Sequence, residues 1–516
     1  MLVKMVKSLR KFAESAIFAP MKIKNNHLRI IFGLKVKQLR QEKGLSFKQM
    51  SEASGMSISY LNEIEKGKKY PKEEKIEAIA KVLDVTQEEL VSMNLPRELG
   101  PLGDLLNSNF LNELPLDLFG IELTKVVEII ANAPKRVGAF ISTLVDLSQN
   151  YALAEENFYF GVLRSYLEMH DNFFGEIEDE VDRFTKKYKV PTRGKVSVEL
   201  LAKLLKKNFN YTIDEEGLSD YQELKDLRSV YVPNKKKLLM NGGLTDVQKA
   251  FQYGKELGFN DLELRDRANT SSLVRVESFE EVLNHFKANY FSAALLINRH
   301  TFNEDMEAFF NRPKWDGEAI TKLMDKYQAS PEMLLQRMTN LLPKYFNLNK
   351  IFVLRFIHTP VDNTYIIDKE LHLHHRHHPH SNGLNEHYCR RWLAVSLLED
   401  LYGMQNEGKY TGTIVGAQIS KYYDTDDEYF CITFARPAYP SPDKNVSVTV
   451  GILLDENSRA KIRFLNDPSI TRRIVNKTCE RCPIIDCKER AARPRVVQAK
   501  NYRKKVDNAL KELLGQ

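Results

Sequence analysis

Between residues 28 and 93 the chain is punctuated so regularly that its local structure has little freedom. LRIIFGLKVKQLRQEKGLS reads as an amphipathic helix stopped by Gly44. Ser46 caps a second helix, FKQMSEAS, which ends at Gly55, and Ser57 caps a third, ISYLNEIEK, which ends at Gly67. Pro71 precedes a fourth, EEKIEAIAKVLDV. The middle pair are short helices joined by a tight Gly-containing turn. Met50, Met56, Leu61 and Ile64 face inward in this reading, leaving Ser59, Tyr60 and Asn62 outside. Any four-helix domain of this size is the plain alternative.

The string GLSFKQMSEASGMSISYLNEIEKGKKYPKEEKIEAIAKVLDV resembles the Cro/repressor (XRE) helix-turn-helix family almost end to end, including its S-x-x-Y-[IL]-x-x-I-E-x-G signature. The resemblance implies that the third helix enters the major groove of double-stranded DNA. Ser57, Ser59, Tyr60 and Asn62 would then meet base edges and nearby phosphates, with Lys66, Lys68 and Lys69 near phosphates. The family often carries Gln at the second position of helix two. Phe47 stands there instead, so that phosphate contact is lost or moves to Lys48 or Gln49. Two half-sites about one helical turn apart demand a homodimer, and the helical stretch 96–194, which has no catalytic grouping, is assigned to scaffold and dimerisation.

From 195 to 346 the order becomes helix (VELLAKLLKKNF), short strands (RSVYVPN, KKLLMN), then helices DVQKAFQYGKELGF and FEEVLNHFKANYFSAALLIN. This order resembles the ImmA/IrrE-like metallopeptidases, in which H-E-x-x-H binds zinc through two His while Glu activates water, and a later helix supplies a third ligand. Carried over, the motif falls on Lys255, Glu256, Leu257, Gly258 and Phe259, and KANYFSAALLIN puts Lys287 at the third ligand. Only the Glu survives. The resemblance therefore implies a pseudo-peptidase with no catalytic residues, in which Lys255 and Lys287 attract an anion, unless both are simply solvated.

Residues 347–475 read as a mixed α/β, sensor-like domain of the GAF or PAS kind. Its expected strands are IFVLRFI, YIIDKELHLH, GTIVGAQI, YFCITFA, VSVTVGILL and AKIRFLN, and its helix is CRRWLAVSLLEDLYG. Seven histidines cluster at His372, His374, His375, His377, His378, His380 and His387. They read either as metal or ligand donors or as a polar segment that tolerates histidine. In the tail, 476–516, Cys479, Cys482 and Cys487 form C-x2-C-x4-C, with Cys389, Cys431 and His387 as candidates for a fourth ligand. Thiolates select Zn²⁺ or an iron–sulfur cluster, and Lys477, Arg481, Lys488 and Arg490 are expected to lower the thiol pKa values. The alternative is three reduced cysteines on a turn. This tail resembles that of the short-chain fatty acyl transcriptional regulators, which implies a regulator sensing acyl-CoA or a related small-molecule effector.

The expected fold is thus multidomain: a basic arm (1–27), an all-α helix-turn-helix domain (28–95), a helical linker (96–194), an α+β pseudo-metallopeptidase-like domain (195–346), the mixed α/β domain and the tail. The length of 516 residues, with 43% hydrophobic and 28% charged content, suits several soluble domains. Val126 to Val145 is the most apolar run, and Glu128, Pro134, Lys135 and Arg136 interrupt it. Five cysteines fit a reducing cytoplasm, and a net charge of +7 permits nucleic-acid binding without requiring it. Residues 1–20 lack the apolar core of a secretory signal and read as a floppy arm or a start placed upstream of Met21. The competing function is an active, DNA-tethered hydrolase with a metal held by the histidines around 372–389.

Overall fold

A computed structural model describes residues 29, 31–92, 155–273, 276, 278–373, 386–410, 412–423, 425–439, 441 and 443–514. The basic arm, residues 96–154 of the linker, and His374, His375, His377, His378 and His380 lie outside them. The chain divides into two units, Met1–Val162 and Leu163–Gln516. Among the described residues no helix is long and apolar enough to cross a membrane.

In the first unit α1 spans 31–42, followed by α2 (Phe47–Ser54), α3 (Ile58–Glu65), α4 (Glu73–Leu83) and α5 (Gln87–Val91). The caps fall where the sequence places them. The Ser46 hydroxyl accepts from the Gln49 amide at 3.2 Å while the Gln49 side chain accepts from the Ser46 amide at 2.9 Å. Gly55 ends α2 in the left-handed region at φ 67, and Ser57 caps α3 through the Tyr60 amide at 3.2 Å. Phe32, Val36, Met50, Met56, Leu61, Ile64, Ile79 and Leu83 form the core. Arg40 of α1 grips the buried Glu65 of α3 through two bonds of 2.6 and 3.0 Å, locking the first helix to the third.

The second unit begins with helices α6 (Glu155–Met169, crossing from the first unit), α7 (Gly175–Tyr188) and α8 (Val198–Phe209). A small sheet follows: β1 (Thr212–Asp214), β2 (Ser229–Val232) and β3 (Lys237–Met240), in the order β1-β3-β2. Helices α9 (Asp246–Asp261) and α10 (Phe279–Leu296) come next and pack on each other, then α11 (Arg299–Phe310), α12 (Gly317–Tyr327) and α13 (Pro331–Phe346). Gly254 permits the close approach of α9 and α10, because a Cβ there would lie 2.5 Å from the Ser292 hydroxyl.

The larger sheet comprises β4 (Ile351–Thr359), β5 (Thr364–His372), β6 (Ile414–Tyr422), β7 (Glu428–Pro437), β8 (Asn445–Leu453) and β9 (Thr471–Val475). Its order is β5-β4-β8-β7-β6-β9, antiparallel except where β9 runs parallel to β6. Helix α14 (Leu393–Asn406) covers one face, packing with Phe352, Leu354, Phe356, Tyr429 and Cys431. On the other face Phe430 meets Trp315 and Phe464. Central strands buried on both faces explain the near-continuous apolar character of YFCITF and VSVTVGIL. AKIRFLN is not a strand: α15 (Glu456–Lys461) runs into a 3-10 turn at Arg463–Asn466. Asp455 and Ser458 close a capping box that commits this stretch to helix. Its alternating Ile462 and Phe464 are buried through the turn instead. The tail ends in α16 (Arg495–Leu514), with no buried residue.

Glu178 of α7 and Arg337 of α13 form an ion pair buried from solvent. Arg337 also donates to the Ile297 carbonyl at 2.9 Å, and Glu178 accepts from the Tyr290 hydroxyl at 2.8 Å. Glu178→Ala would leave a buried guanidinium unpaired, at a cost of ~3–5 kcal/mol. Denaturant melts should report that loss, whereas Lys186→Ala on the exposed side of the same helix should fall within ~0.5 kcal/mol of the parent.

Candidate functional site

The expected DNA-facing residues lie on α2, at the start and along α3, and on the turn that follows it. Lys48, Gln49, Ser57, Ser59, Lys66, Lys68 and Lys69 are exposed, and Tyr60 and Asn62 are half-buried. Several are already committed: Gln49 to Ser46, the Ser57 hydroxyl to its own helix, and Lys69 to Glu63 at 2.8 Å. Tyr60 carries the Lys75 ammonium over its ring at 4.2 Å. Phe47 lies under the Arg40 guanidinium at 4.2 Å, so it serves α1 rather than a phosphate. Ile58, absent from the sequence reading, opens α3 with 48% exposure. Its place next to the Ser57 cap was the available signal.

In the second unit, α9 places Lys255, Glu256 and Phe259 where the peptidase resemblance puts its zinc motif. The Glu256 carboxylate receives both terminal nitrogens of Arg267 at 2.7 Å and the Tyr211 hydroxyl at 3.0 Å. The Arg267 guanidinium lies 3.7 Å from the Phe259 ring centroid. The buried Lys255 ammonium donates to the Ser271 carbonyl at 3.1 Å and lies 3.4 Å from His285 Nε2. The residue that α10 brings to Lys255 is therefore His285. Lys287, expected there, is half-buried two positions further along α10. Two residues correspond to about 200° of helix, which turns Lys287 away from His285's direction.

This donor set does not suit Zn²⁺. One imidazole remains, facing a lysine, and the surviving carboxylate is saturated by Arg267. Burial drives the Lys255 pKa down to about 7, Glu256 opposing and Arg267 assisting. Burial, with Lys255 second, holds His285 well below its ordinary value.

The segment carrying Cys389 pairs with the start of the tail turn that carries Cys479 and Cys482. Tyr388 bridges to Thr478, and the Cys389 and Cys479 amides donate to the carbonyls of Lys477 and His387 at 3.2 and 2.8 Å. Cys389, Cys479 and Cys482 are buried, while Cys487 is partly exposed. Arg490 staples the turn by donating to the carbonyls of Cys479, at 2.6 Å, and Cys482, at 3.0 Å. Burial raises Cys389 to about 11 and also raises Cys482, opposite to the expected lowering. Arg481 is held by Glu386 at 2.8 and 2.9 Å, and Arg490 is spent largely on carbonyls. Cys431 sits on β7 near Ser420, and His387 faces Glu480 at 2.8 Å. The buried His372 lies against Phe352. Among the described residues no group of three or more His, Cys, Asp and Glu side chains is arranged to hold a metal ion.

The Lys255 environment has a pH signature. Folding depresses this pKa, so the native chain holds fewer protons there than the unfolded chain between about 7 and 10.5. The group's contribution is fully present above the unfolded value and is lost as pH falls through the folded one. Between pH of about 9 and 6.5 the parent should lose melting temperature more steeply than Lys255→Met. Parallel melts across that range would show it.

The sequence matches the helix-turn-helix domain family over residues 31–93 and the IrrE N-terminal-like domain family over residues 218–339. No curated protein matches it. A Mycobacterium tuberculosis transcriptional regulator is 18% identical with a TM-score of 0.44, covering 64% of this chain and 92% of that one. The apo form of the competence regulator ComR from Streptococcus vestibularis is 15% identical with a TM-score of 0.12, covering 60% of this chain and 96% of that one. Both likenesses are loose and carry nothing about ligand or activity. The chain joins an XRE-type helix-turn-helix, DNA-binding domain to an IrrE-like domain followed by a sheet-rich region.

Proposed function

We propose that this protein is a homodimeric, sequence-specific transcriptional regulator whose second unit responds to a small anionic metabolite without catalysing a reaction. Acyl-CoA is the class its family resemblance implies. The observation that carries the reading is the occupation of the peptidase-like centre by Lys255, Arg267 and Phe259 around a saturated Glu256. Cations and an aromatic ring stand where a hydrolytic metal would need donors. The hydrolase alternative draws little support from the described histidines, since His372 is buried against Phe352 and His387 is engaged by Glu480. Glu256→Gln would act on stability through the Arg267 pair rather than on a reacting water.

In this reading Ser59 and Asn62 contact bases, Ile58 offers its side chain to a thymine methyl, and Lys48, Lys66 and Lys68 sit near phosphates. A second input rests on the pairing that sets Cys389 beside the turn carrying Cys479, Cys482 and Cys487. These are the donors that Zn²⁺ or an iron–sulfur cluster selects, once the turn draws them together. Elemental analysis of anaerobically purified protein should find metal that Cys479→Ser lacks. Equal metal content and melting temperature in that variant would remove this input.

For the DNA side, Asn62→Ala or Ser59→Ala should reduce discrimination between operator and mismatched duplexes, by ~1–3 kcal/mol for a bidentate contact. Lys68→Ala should weaken binding to all sequences and flatten the salt dependence. Fluorescence titrations with the full chain at several salt concentrations would measure both. Unaltered specificity in both Asn62→Ala and Ser59→Ala would place the reading surface elsewhere.

A further inference from the structure

We propose that α16 is a pairing helix whose apolar edge docks, antiparallel, on α16 of a second copy of this chain. This supplies a surface for the homodimer proposed above and rests on that reading.

The helix is rooted at its start and otherwise uncovered. The Val496 amide donates to the Glu480 carbonyl at 3.1 Å, and the Glu480 carboxylate accepts from the His387 amide at 2.9 Å. Val496 and Val497 are half-buried, and from Gln498 to Leu514 every residue is exposed. A helix of this length is marginal by itself in water and normally owes its stability to an apolar face packed on something. No residue of α16 is buried by its own chain.

Its apolar residues run along one edge. Ala499, Tyr502, Val506, Ala509 and Leu513 follow one another in steps of three, four, three and four, the a/d repeat of a coiled-coil seam. Tyr502 is 70% exposed and Leu513 82%, while Leu510 borders the seam at 49%. So narrow an edge suits a second helix; a membrane surface or a globular core takes a broader face.

Charge and side-chain volume choose the partner and its direction. The first half of the helix carries Arg495, Lys500, Arg503, Lys504 and Lys505 and no acid, whereas the half from Val506 onward carries Asp507, Lys511 and Glu512. Two copies laid parallel would set these five cations beside five more. Reversed, each basic half runs along the half that holds both acids. With Val506 opposite Ala509 of the second copy, Lys505 and Glu512 of facing helices flank the seam on the same side, and two-fold symmetry repeats the contact. Tyr502 then meets Leu513, and the small Ala509 receives Val506, large against small. In parallel register Ala509 would face Ala509 and leave a gap. A sequence that complements itself on reversal selects a second copy as its partner.

Sedimentation velocity on the full chain over a concentration series tests this. Val506→Asp puts carboxylates without partners into the seam, at a position its own chain leaves exposed, and should raise the dimer dissociation constant about tenfold or more. Lys505→Glu and Glu512→Lys should each weaken pairing about fivefold, and the two together should restore it. In a parallel pair Lys505→Glu would relieve repulsion and strengthen pairing instead. A parent chain that stays monomeric throughout overturns the homodimer reading along with this one. A parent dimer that Val506→Asp leaves intact overturns pairing through α16 alone and returns dimerisation to another surface. Failure of the double exchange to restore pairing overturns the antiparallel arrangement. If Lys505→Glu leaves the dimer intact and instead cuts affinity for a random-sequence duplex, α16 is a nucleic-acid arm and the pairing helix is overturned.

Discussion

The second unit is organised around one buried charge pair. Glu178 and Arg337 lie on helices far apart in sequence, and neither side chain has solvent to fall back on. Each needs the other, so α7 and α13 have little freedom to slide. Asn172 reinforces the register by donating to the Thr339 hydroxyl at 3.0 Å and accepting from Asn340 at 2.8 Å. Tyr290 carries the same network into α10, the helix that presents His285. Because Glu332 precedes Arg337 on α13 by little more than a turn, fixing the pair also fixes the carboxylate that Arg355 and Arg436 share.

The same economy of charge explains the peptidase-like centre. A zinc site concentrates positive charge on an ion and surrounds it with donors. Here the positive charge is covalent, on Lys255 and Arg267, and Glu256 neutralises part of it. Phe259 completes the exchange by offering a ring face to Arg267, an interaction strengthened by desolvation. The geometry of the centre suits cationic side chains held by one carboxylate and one ring.

How much of this was legible in the sequence follows from the range of the interactions involved. The first unit was readable because its helix limits are set by neighbours three residues apart, as with Ser46 and Gln49. Strands β7 and β8 were readable because burial on both faces leaves a continuous apolar run. AKIRFLN misled because Ile462 and Phe464 imitate strand alternation, while the deciding Asp455 box lies upstream. β1 and β9 were missed because TID is too short and TRRIV too charged to stand out. Lys287 was placed one side of a helix away from the true facing residue, since a motif without its ligand carries no register. Cys389 was named among several candidates, and its place beside the tail turn depends on the Tyr388–Thr478 bridge, a long-range pairing that no local pattern announces.

Ser271 gives the two charged regions of the second unit a common support. Its hydroxyl accepts from the Arg228 amide, its carbonyl accepts from Lys255, and its own amide donates to the Ser229 carbonyl at 2.9 Å. The segment bearing Ser271 thus ties the strand entry that positions Arg228 to the helix that positions Lys255. Moving the backbone at Arg228 would pull on Ser271 and so on the carbonyl that solvates the Lys255 ammonium. A lysine poised near neutrality is sensitive to such a change, because a small loss of hydrogen bonding favours its uncharged form. Movement of this strand entry and protonation of Lys255 are therefore expected to be linked, each changing the free energy of the other by the same amount.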